Sequence, residues 1–210
     1  MQIKYAGCDI SHHQGNVDFS KLKHEVDFVI LKLGGSDAHD GKMYKDDKFD
    51  TYYSECKKHG IPVGCYWFAG KLSTGRARAA IEAATVYGFI KDLKFEMPVY
   101  LDFEVGSTKN KLLNTEFCVY WCNYLESRNC FVGIYSSDIS GFKNMLNDYD
   151  LKNYSHWVAR YGARPAYVGN WGMWQYSSKG KLKGITGNVD LDYSTLNFPK
   201  IIRNKHLNGW

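Results

Sequence analysis

The stretch MPVYLDFEV, residues 97–105, sets the fold class and marks a candidate site. It is a run of apolar strand-forming residues that ends in two acids, Asp102 and Glu104. Side chains alternate between the faces of a strand, so both acids point the same way, about 6 to 7 Å apart along the backbone. In an α/β barrel the carboxyl ends of the parallel strands form the catalytic face. The stretch therefore predicts one barrel strand with acids at its functional end.

Short apolar runs recur on both sides of this strand, with amphipathic segments between them. We predict seven or eight strands, at roughly Tyr5–Ile10, Phe28–Leu33, Val63–Phe68, Met97–Glu104, Phe131–Tyr135, His156–Tyr161, Gly172–Tyr176 and Val189–Tyr193. Helices are predicted at about Lys45–His59, Thr74–Lys91, Asn114–Ser127 and Ile139–Asn147. After Trp157 the strands follow one another through glycine-rich connections without helices. This pattern predicts an α/β fold: an irregular, incomplete TIM-like (β/α) barrel with a β-rich C-terminal third.

The length of 210 residues fits a single domain with one sizeable core. We assign residues 1–198 to a catalytic domain. Residues 199–210 are expected to be a C-terminal tail, a linker stub or a terminal strand. Internal repeats and low-complexity tracts are absent from the sequence.

The composition is that of an ordinary globular protein, with 44% hydrophobic and 23% charged residues. The net charge of +5 permits approach to acidic polymers but does not choose among cell wall, membrane surface and nucleic acid. Because no basic stripe with interleaved aromatics is present, nucleic acid is not the expected partner. An aromatic share of 16% supplies flat apolar faces suited to sugar rings, although many of these residues also serve a core.

Six cysteines occur, with no CxxC pair and no histidines at zinc-finger spacing, so we expect free thiols and no metal or other cofactor. The first residues, MQIKYAGCDIS, lack the apolar core of a signal peptide. No apolar run reaches the roughly 18 residues that a membrane span requires, so membrane insertion is not expected. The sequence predicts synthesis in the cytoplasm, where thiols stay reduced.

Other predicted strands also end in polar or aromatic residues. These are Asp9, Tyr66, Tyr135, Trp157, Gln175 and Asp190. A barrel brings such strand ends into one pocket, and acids with Tyr and Trp around them are typical of clefts that cleave sugars. On its spacing alone, the D-x-E pair is equally compatible with a strand that ends in two surface acids.

The chain resembles the glycoside hydrolase family 25 lysozymes, a group that includes many phage endolysins, from about Gly7 to Ser194. The motifs that carry the resemblance are GCDIS, FDTYYSECKKHGIPVGCYWFA, PVYLDFE, VGIYSS, HWVARYG and WQYSSKGKLKGITGNVDLDYS. Each is weak alone, but all six stand in the family's order. Cys8, the His12–His13 pair and the LGGSD segment depart from the usual pattern.

The resemblance implies an N-acetylmuramidase that cleaves the β-1,4 bond between N-acetylmuramic acid and N-acetylglucosamine in bacterial peptidoglycan. It makes Glu104 the general acid and Asp102 its partner, with Asp9 and Asp190 as the other two acids. It also implies that the groove is lined by Tyr66, Tyr135, Trp157 and Gln175. Asp192 stands where the family often has Asn, and we expect it to be structural.

Several alternatives stay open at this stage. Asp9, His12 and His13 lie together and suggest a metal-dependent polysaccharide deacetylase, although their spacing is poor for zinc. A non-catalytic glycan-binding barrel would use the same aromatics. The stereochemistry is predicted to be substrate-assisted retention, with an inverting route as the rival. A phage endolysin would reach the wall through a holin at host lysis, whereas an autolysin would be secreted.

Overall fold

A computed structural model of the chain describes residues 2–37 and 39–210. Nine strands form one sheet: β1 (Tyr5–Ile10), β2 (Phe28–Ser36), β3 (Met43–Lys45), β4 (Val63–Phe68), β5 (Val99–Asp102), β6 (Val132–Ser137), β7 (Ser155–Ala159), β8 (Met173–Gly180) and β9 (Val189–Ser194). The helices are α1 (Phe19–Leu22), α2 (Phe49–His59), α3 (Gly75–Ile90), α4 (Lys111–Glu126), α5 (Asp148–Leu151) and α6 (Phe198–Asn204). A π-helical segment, Asp138–Lys143, follows β6.

The sheet closes into a barrel of eight strands. Its order is β1-β9-β8-β7-β6-β5-β4-β2, and β1 also pairs with β2. Strands β1, β2 and β4 to β8 run parallel to one another, whereas β9 lies between β8 and β1 and is antiparallel to both. The short β3 pairs with β2 outside the ring. The ring of strands is therefore complete, and what is incomplete is the outer layer of helices.

The outer helices cover only part of the barrel. Helices α2, α3 and α4 lie between successive parallel strands, whereas residues 155–194, all of which the structure describes, contain β7, β8 and β9 with no helix between them. The predicted α/β class, the irregular TIM-like barrel and the β-rich last third are confirmed. Helix α2 begins at Phe49 instead of Lys45 because Lys45 belongs to β3. The predicted helix Ile139–Asn147 is instead the π-helical segment and the turn after it.

The core has two layers that follow from the alternation of side chains in the strands. One layer lies between sheet and helices and contains Val29, Leu31 and Trp67. The other fills the barrel interior and contains Ile30, Tyr100, Trp157, Met173, Phe198 and Ile202. Phe198 and Ile202 come from α6, which therefore belongs to the domain core. All six cysteines are buried and free, as the sequence predicted.

The C-terminal segment differs from its prediction as a tail, linker stub or terminal strand. It forms α6 and then continues across the amino-terminal end of the barrel. Asn208 accepts a hydrogen bond from the Phe131 backbone N–H at 2.7 Å and donates one to the Met97 carbonyl at 3.1 Å. The Trp210 indole donates to the Phe95 carbonyl at 3.1 Å. Buried polar contacts and the apolar residues of α6 hold this segment on the barrel, so it is part of the folded unit.

We predict that Asn208→Ala lowers the free energy of unfolding by about 2 to 4 kcal/mol, because two buried hydrogen bonds are lost and their backbone partners stay buried. Asn208 also has a φ of 54°, a conformation that asparagine tolerates better than alanine. Urea unfolding measures the change. Asn204→Ala, on the exposed side of α6, is the matched control and should have little effect. Equal stability of the two variants would contradict a structural role for the segment.

Candidate active site

Four acids meet at the carboxyl end of the barrel: Asp9, Asp102, Glu104 and Asp190. Asp9 on β1 lies directly opposite Asp190 on β9 in the antiparallel register. Asp102 is the last residue of β5, and Glu104 follows it two residues later. The charge of Glu104 raises the pKa of Asp9, and the charge of Asp190 raises the pKa of Glu104. The structure therefore brings all four predicted acids into one electrostatic cluster.

Asp102 and Glu104 are close enough that each changes the pKa of the other. Asp102 is buried, and burial followed by the charge of Glu104 raises its pKa well above the ordinary value. The Glu104 side chain reaches into the cleft, and partial burial of its carboxyl group raises its pKa. Two carboxyl groups in contact cannot both ionise easily, so the pair retains a proton above the usual range for acids. Glu104 of this pair borders an open cleft.

The cleft beside Glu104 has a volume of about 320 Å³. Its walls come from the ends of β6 and β7 and the segments that follow them. The lining residues are Glu104, Tyr135, Ser137, Ser140, Ala159, Arg160 and Tyr161. Hydroxyl groups, a guanidinium and the exposed ring of Tyr161 suit a polar, ring-shaped ligand.

A chain of hydrogen bonds orients Asp9. The hydroxyls of Tyr135 and Tyr161 both donate to Oε1 of Gln175, at 2.9 and 3.0 Å. The Gln175 amide Nε2 then donates to Asp9 Oδ2 at 2.8 Å. Gln175 is only 3% exposed. Gln175 therefore fixes the direction of the Asp9 carboxyl from beneath the cleft. The sequence had predicted Gln175 on the groove wall, and this prediction is corrected.

The predicted aromatic residues differ in depth: one lies below the cleft and the others lie at or near its wall. Trp157 is 1% exposed and lies inside the barrel, with its ring centre 4.5 Å from that of Tyr135 and 6.0 Å from that of Tyr66. Its indole N–H donates to Asp192 Oδ1 at 2.7 Å. Trp157 thus supports the site from below, which corrects its predicted place on the groove surface. Tyr66 is half-buried, and the Tyr135 ring contributes to the cleft wall.

The family comparison agrees with this geometry. The model of glycosyl hydrolases family 25 matches residues 8–185. The chain belongs to this family.

Three relatives illustrate the likeness of this family 25 chain to known proteins. Lysozyme M1 of Streptomyces globisporus is 30% identical over 199 residues, which cover 88% of this chain and 65% of that protein. The crystal structure of the CTP1L endolysin superposes with a TM-score of 0.80 at 29% identity, covering 96% of this chain and 70% of that one. The autolysin LytC from Streptococcus pneumoniae, solved with a synthetic peptidoglycan ligand, superposes with a TM-score of 0.76 at 25% identity, covering 90% of this chain and 46% of LytC. The chain thus spans slightly less than two thirds of Lysozyme M1 and about half of LytC.

Two residues at the site of this family 25 chain were not predicted from the sequence. Lys32 on β2 lies two residues beyond Ile30 on the interior face, and its charge lowers the pKa of both Asp102 and Glu104. A lone lysine inside the apolar run FVILKLGG was the signal that could have revealed it. Tyr161, whose hydroxyl helps to orient Gln175, lies beyond the end of β7. Tyr161 was the last residue of the predicted strand His156–Tyr161, and this place at a strand end was the signal that could have revealed it.

One rim loop of this family 25 chain is held by a buried acid. Asp138 accepts a hydrogen bond from Arg160 Nη1 at 2.8 Å and further bonds from the backbone N–H groups of Ala166, Tyr167 and Val168. Although burial opposes it, these donors hold the pKa of Asp138 below its ordinary value. The ionised carboxylate fixes the segment after β7 and sets Arg160 beside Glu104 in the cleft.

The residues required by a metal-dependent deacetylase do not converge. His12 Nδ1 lies 2.6 Å from Asp46 Oδ2, whereas Asp9 Oδ2 accepts its hydrogen bond from Gln175. Within residues 2–37 and 39–210, no group of three or more His, Cys, Asp or Glu side chains is arranged to hold a metal ion.

In the same ranges, no helix combines the length and apolar character that crossing a membrane requires.

Proposed function

We propose that the chain is an N-acetylmuramidase that hydrolyses the β-1,4 bond between N-acetylmuramic acid and N-acetylglucosamine in bacterial peptidoglycan. The observation that carries this proposal is the pair of acids Asp102 and Glu104 at the edge of an open cleft, where burial raises the pKa of both. Cleavage of a glycosidic bond needs such a proton on the leaving oxygen. Membership of family 25 and the likeness to Lysozyme M1 support this assignment.

In the first step, Glu104 transfers its proton to the glycosidic oxygen as the bond from that oxygen to C1 of the muramic acid breaks. Binding of that oxygen against Glu104 draws the shared proton from Asp102 to Glu104, since the oxygen is an acceptor. Asp102 is left as a carboxylate in a buried site. It stabilises the positive charge that develops on the substrate's 2-acetamido group as the carbonyl oxygen of that group attacks C1.

In the second step, water attacks C1 and reopens the cyclic intermediate. Glu104, now a carboxylate, accepts a proton from this water and returns to its starting state. Asp102 and Glu104 stand two residues apart at the end of β5, a spacing that favours assistance by the substrate's acetamido group over activation of a water between the two acids. An inverting route would need Asp9 or Asp190 as the base.

Analysis of new reducing ends tests the proposed bond specificity. Purified walls are digested, reduced with borohydride and hydrolysed. A muramidase produces N-acetylmuramitol, whereas a glucosaminidase produces N-acetylglucosaminitol. A deacetylase would release acetate and lose activity in EDTA, and a glycan-binding barrel would create no reducing ends at all. Any of these three results overturns the proposal.

Proton NMR of the first-formed product tests the stereochemistry. Attack by the substrate's own acetamido group gives double displacement at C1, so the product should appear first as the β-anomer. An initial α-anomer would show inversion and would move the base role to Asp9 or Asp190.

We predict that Lys32→Met moves the alkaline limb of the pH–activity profile to higher pH. Glu104 acts as an acid only while protonated, so activity falls as pH rises through its pKa. The charge of Lys32 lowers the pKa of Glu104, and its removal therefore raises that pKa. Lys32→Arg keeps the charge and should leave the limb in place. A shift of the limb to lower pH in Lys32→Met would contradict this electrostatic role.

We further propose that the protein is made in the reducing cytoplasm and reaches the wall at host lysis, as an endolysin released through a holin. Six free, buried thiols and the likeness to the CTP1L endolysin support this setting. Expression in a bacterial host should cause lysis only when a holin is co-expressed. Lysis without the holin would favour a secreted autolysin.

A further inference from the structure

A fifth acid, Asp192, lies beneath the four acids of the cleft. It is on β9 and faces the barrel interior, opposite Gly7 of β1 and Gln175 of β8. Its side chain is 0% exposed. The Trp157 indole N–H donates to its Oδ1 at 2.7 Å, whereas its Oδ2 has no donor within the described part of the chain. A buried ionised carboxylate with one neutral donor is energetically costly.

Asp192 and Asp9 are close neighbours, since Asp192 pairs in the sheet with Gln175, which donates to Asp9, and each acid changes the pKa of the other. Two carboxylates in contact repel each other, and a proton between them replaces this repulsion with a hydrogen bond. Such a proton also gives Asp192 Oδ2 the partner that it otherwise lacks. Burial of Asp192 and its unpartnered Oδ2 therefore favour one proton in this pair.

The surroundings decide which acid holds the proton. Asp9 borders the cleft and already accepts the Gln175 amide, which favours its ionised form. Asp192 lies deeper and has only the indole. We propose that Asp192 keeps a proton at neutral pH and donates it to Asp9, and thereby acts as a positioning residue for the Asp9 carboxylate.

Among residues 2–37 and 39–210, the other titratable groups around this pair offer no compensating positive charge. The acids are Asp190, Asp102 and Glu104. The weaker acids are Cys8, Tyr66, Tyr100, Tyr135, Tyr161 and Tyr176. Lys32 acts on Asp102 and Glu104. Burial followed by the charge of Asp9 raises the pKa of Asp192 well above its ordinary value. Burial and the charge of Asp190 raise the pKa of Asp9 to about 8, while the hydrogen bonds from Gln175 and Asp192 lower it, so Asp9 ionises first as the pH rises and Asp192 keeps its proton.

A neutral Asp192 completes a continuous set of donors around Asp9. The Gln175 amide holds one side of the carboxylate, and the Asp192 hydroxyl holds it from below. Trp157 in turn fixes Asp192 through its indole. Asp9 is thereby aimed at the reacting centre by groups that themselves do not touch the substrate. The protonation of Asp192 does not depend on the proposed function; only its effect on catalysis rests on that function.

Carboxyl ¹³C NMR on protein labelled with [4-¹³C]aspartate tests the proton without using activity. The wild-type signal that is missing in Asp192→Asn should keep its protonated chemical shift from about pH 4 to about pH 9, although an ordinary aspartate ionises near pH 4. The pKa of Asp9 should be unchanged in Asp192→Asn, because the amide donates the same hydrogen bond. An Asp192 signal that ionises within this range, or a fall in the Asp9 pKa in Asp192→Asn, overturns the proposal.

Activity assays then separate positioning from mere support of the fold. Asp192→Asn should retain kcat/KM within about threefold, whereas Asp192→Ala, which removes the donor to Asp9, should lower it by about tenfold or more and raise the pKa of Asp9. Equal losses in both variants, or no loss in Asp192→Ala, overturn the positioning role. Inactivity of the wild-type protein on walls would refute the proposed function. The NMR experiment would still decide whether Asp192 keeps its proton.

Discussion

Glu104→Gln lowers the rate of wall lysis by about a thousandfold, within the range that a general acid contributes to catalysis. Glutamine has nearly the same shape as glutamate and keeps the side chain in the cleft, but it has no proton to transfer to the leaving oxygen. The fold and the binding of walls should therefore persist. Muropeptide release per unit time measures the loss, and co-sedimentation with walls measures the retained binding.

The matched control for this prediction is Glu116→Gln, the same change on the outer helix α4, where Glu116 pairs with Arg76 at 2.8 Å. It should lyse walls at the wild-type rate. Lysis by Glu104→Gln at close to the wild-type rate would remove Glu104 from the mechanism. A large loss of thermal stability in Glu104→Gln would instead show that the carboxyl supports the fold.

Asp102→Asn is the second change with a large expected effect, a loss of about a hundredfold or more. Asp102 is buried, and its Oδ1 has no hydrogen-bond partner among the described residues. In the proposed mechanism this carboxylate stabilises the charge on the acetamido group, and an amide of the same shape carries no charge. Single-turnover cleavage of a chromogenic chitobioside or wall fragment measures the chemical step directly.

Asp92→Asn serves as the control for this loss, because Asp92 is exposed and pairs only with the exposed Lys91 in the described structure. Its activity should match the wild type. If Asp102→Asn retained more than about a tenth of the activity, electrostatic stabilisation by Asp102 would be too small for the proposed role. A substrate whose 2-acetamido group is replaced by hydroxyl should react slowly with the wild type and be almost insensitive to Asp102→Asn.

Local sequence patterns located many elements because they depend on nearest neighbours along the chain. Strands β1 and β4 begin and end at the predicted residues, Tyr5–Ile10 and Val63–Phe68. Both are short apolar runs bounded by turn-forming residues, and such runs leave little freedom for their ends. Helix α2 ends at the predicted residue, next to Gly60, whose φ of 68° is the left-handed conformation that often terminates helices.

Where the limits of an element differ from the prediction, long-range contacts explain the difference. Strand β2 runs on to Ser36 because β3 pairs with it, and this pairing takes Lys45 out of the predicted helix. The C-terminal segment reads as a polar tail, yet Asn208 and Trp210 find partners on residues more than seventy positions away. The local sequence gives no signal that predicts these distant partners.

The sequence alone determined the barrel class and the four acids at its carboxyl end, since strand periodicity and motif order are both properties of the linear chain. Only the tertiary structure decided which of the remaining site residues face the cleft. Trp157 and Gln175 were expected on the groove wall but lie below it, and Lys32 and Asp192 share the interior that the acids border. Depth inside a closed barrel depends on how all eight strands stagger against one another, and no single strand encodes that arrangement.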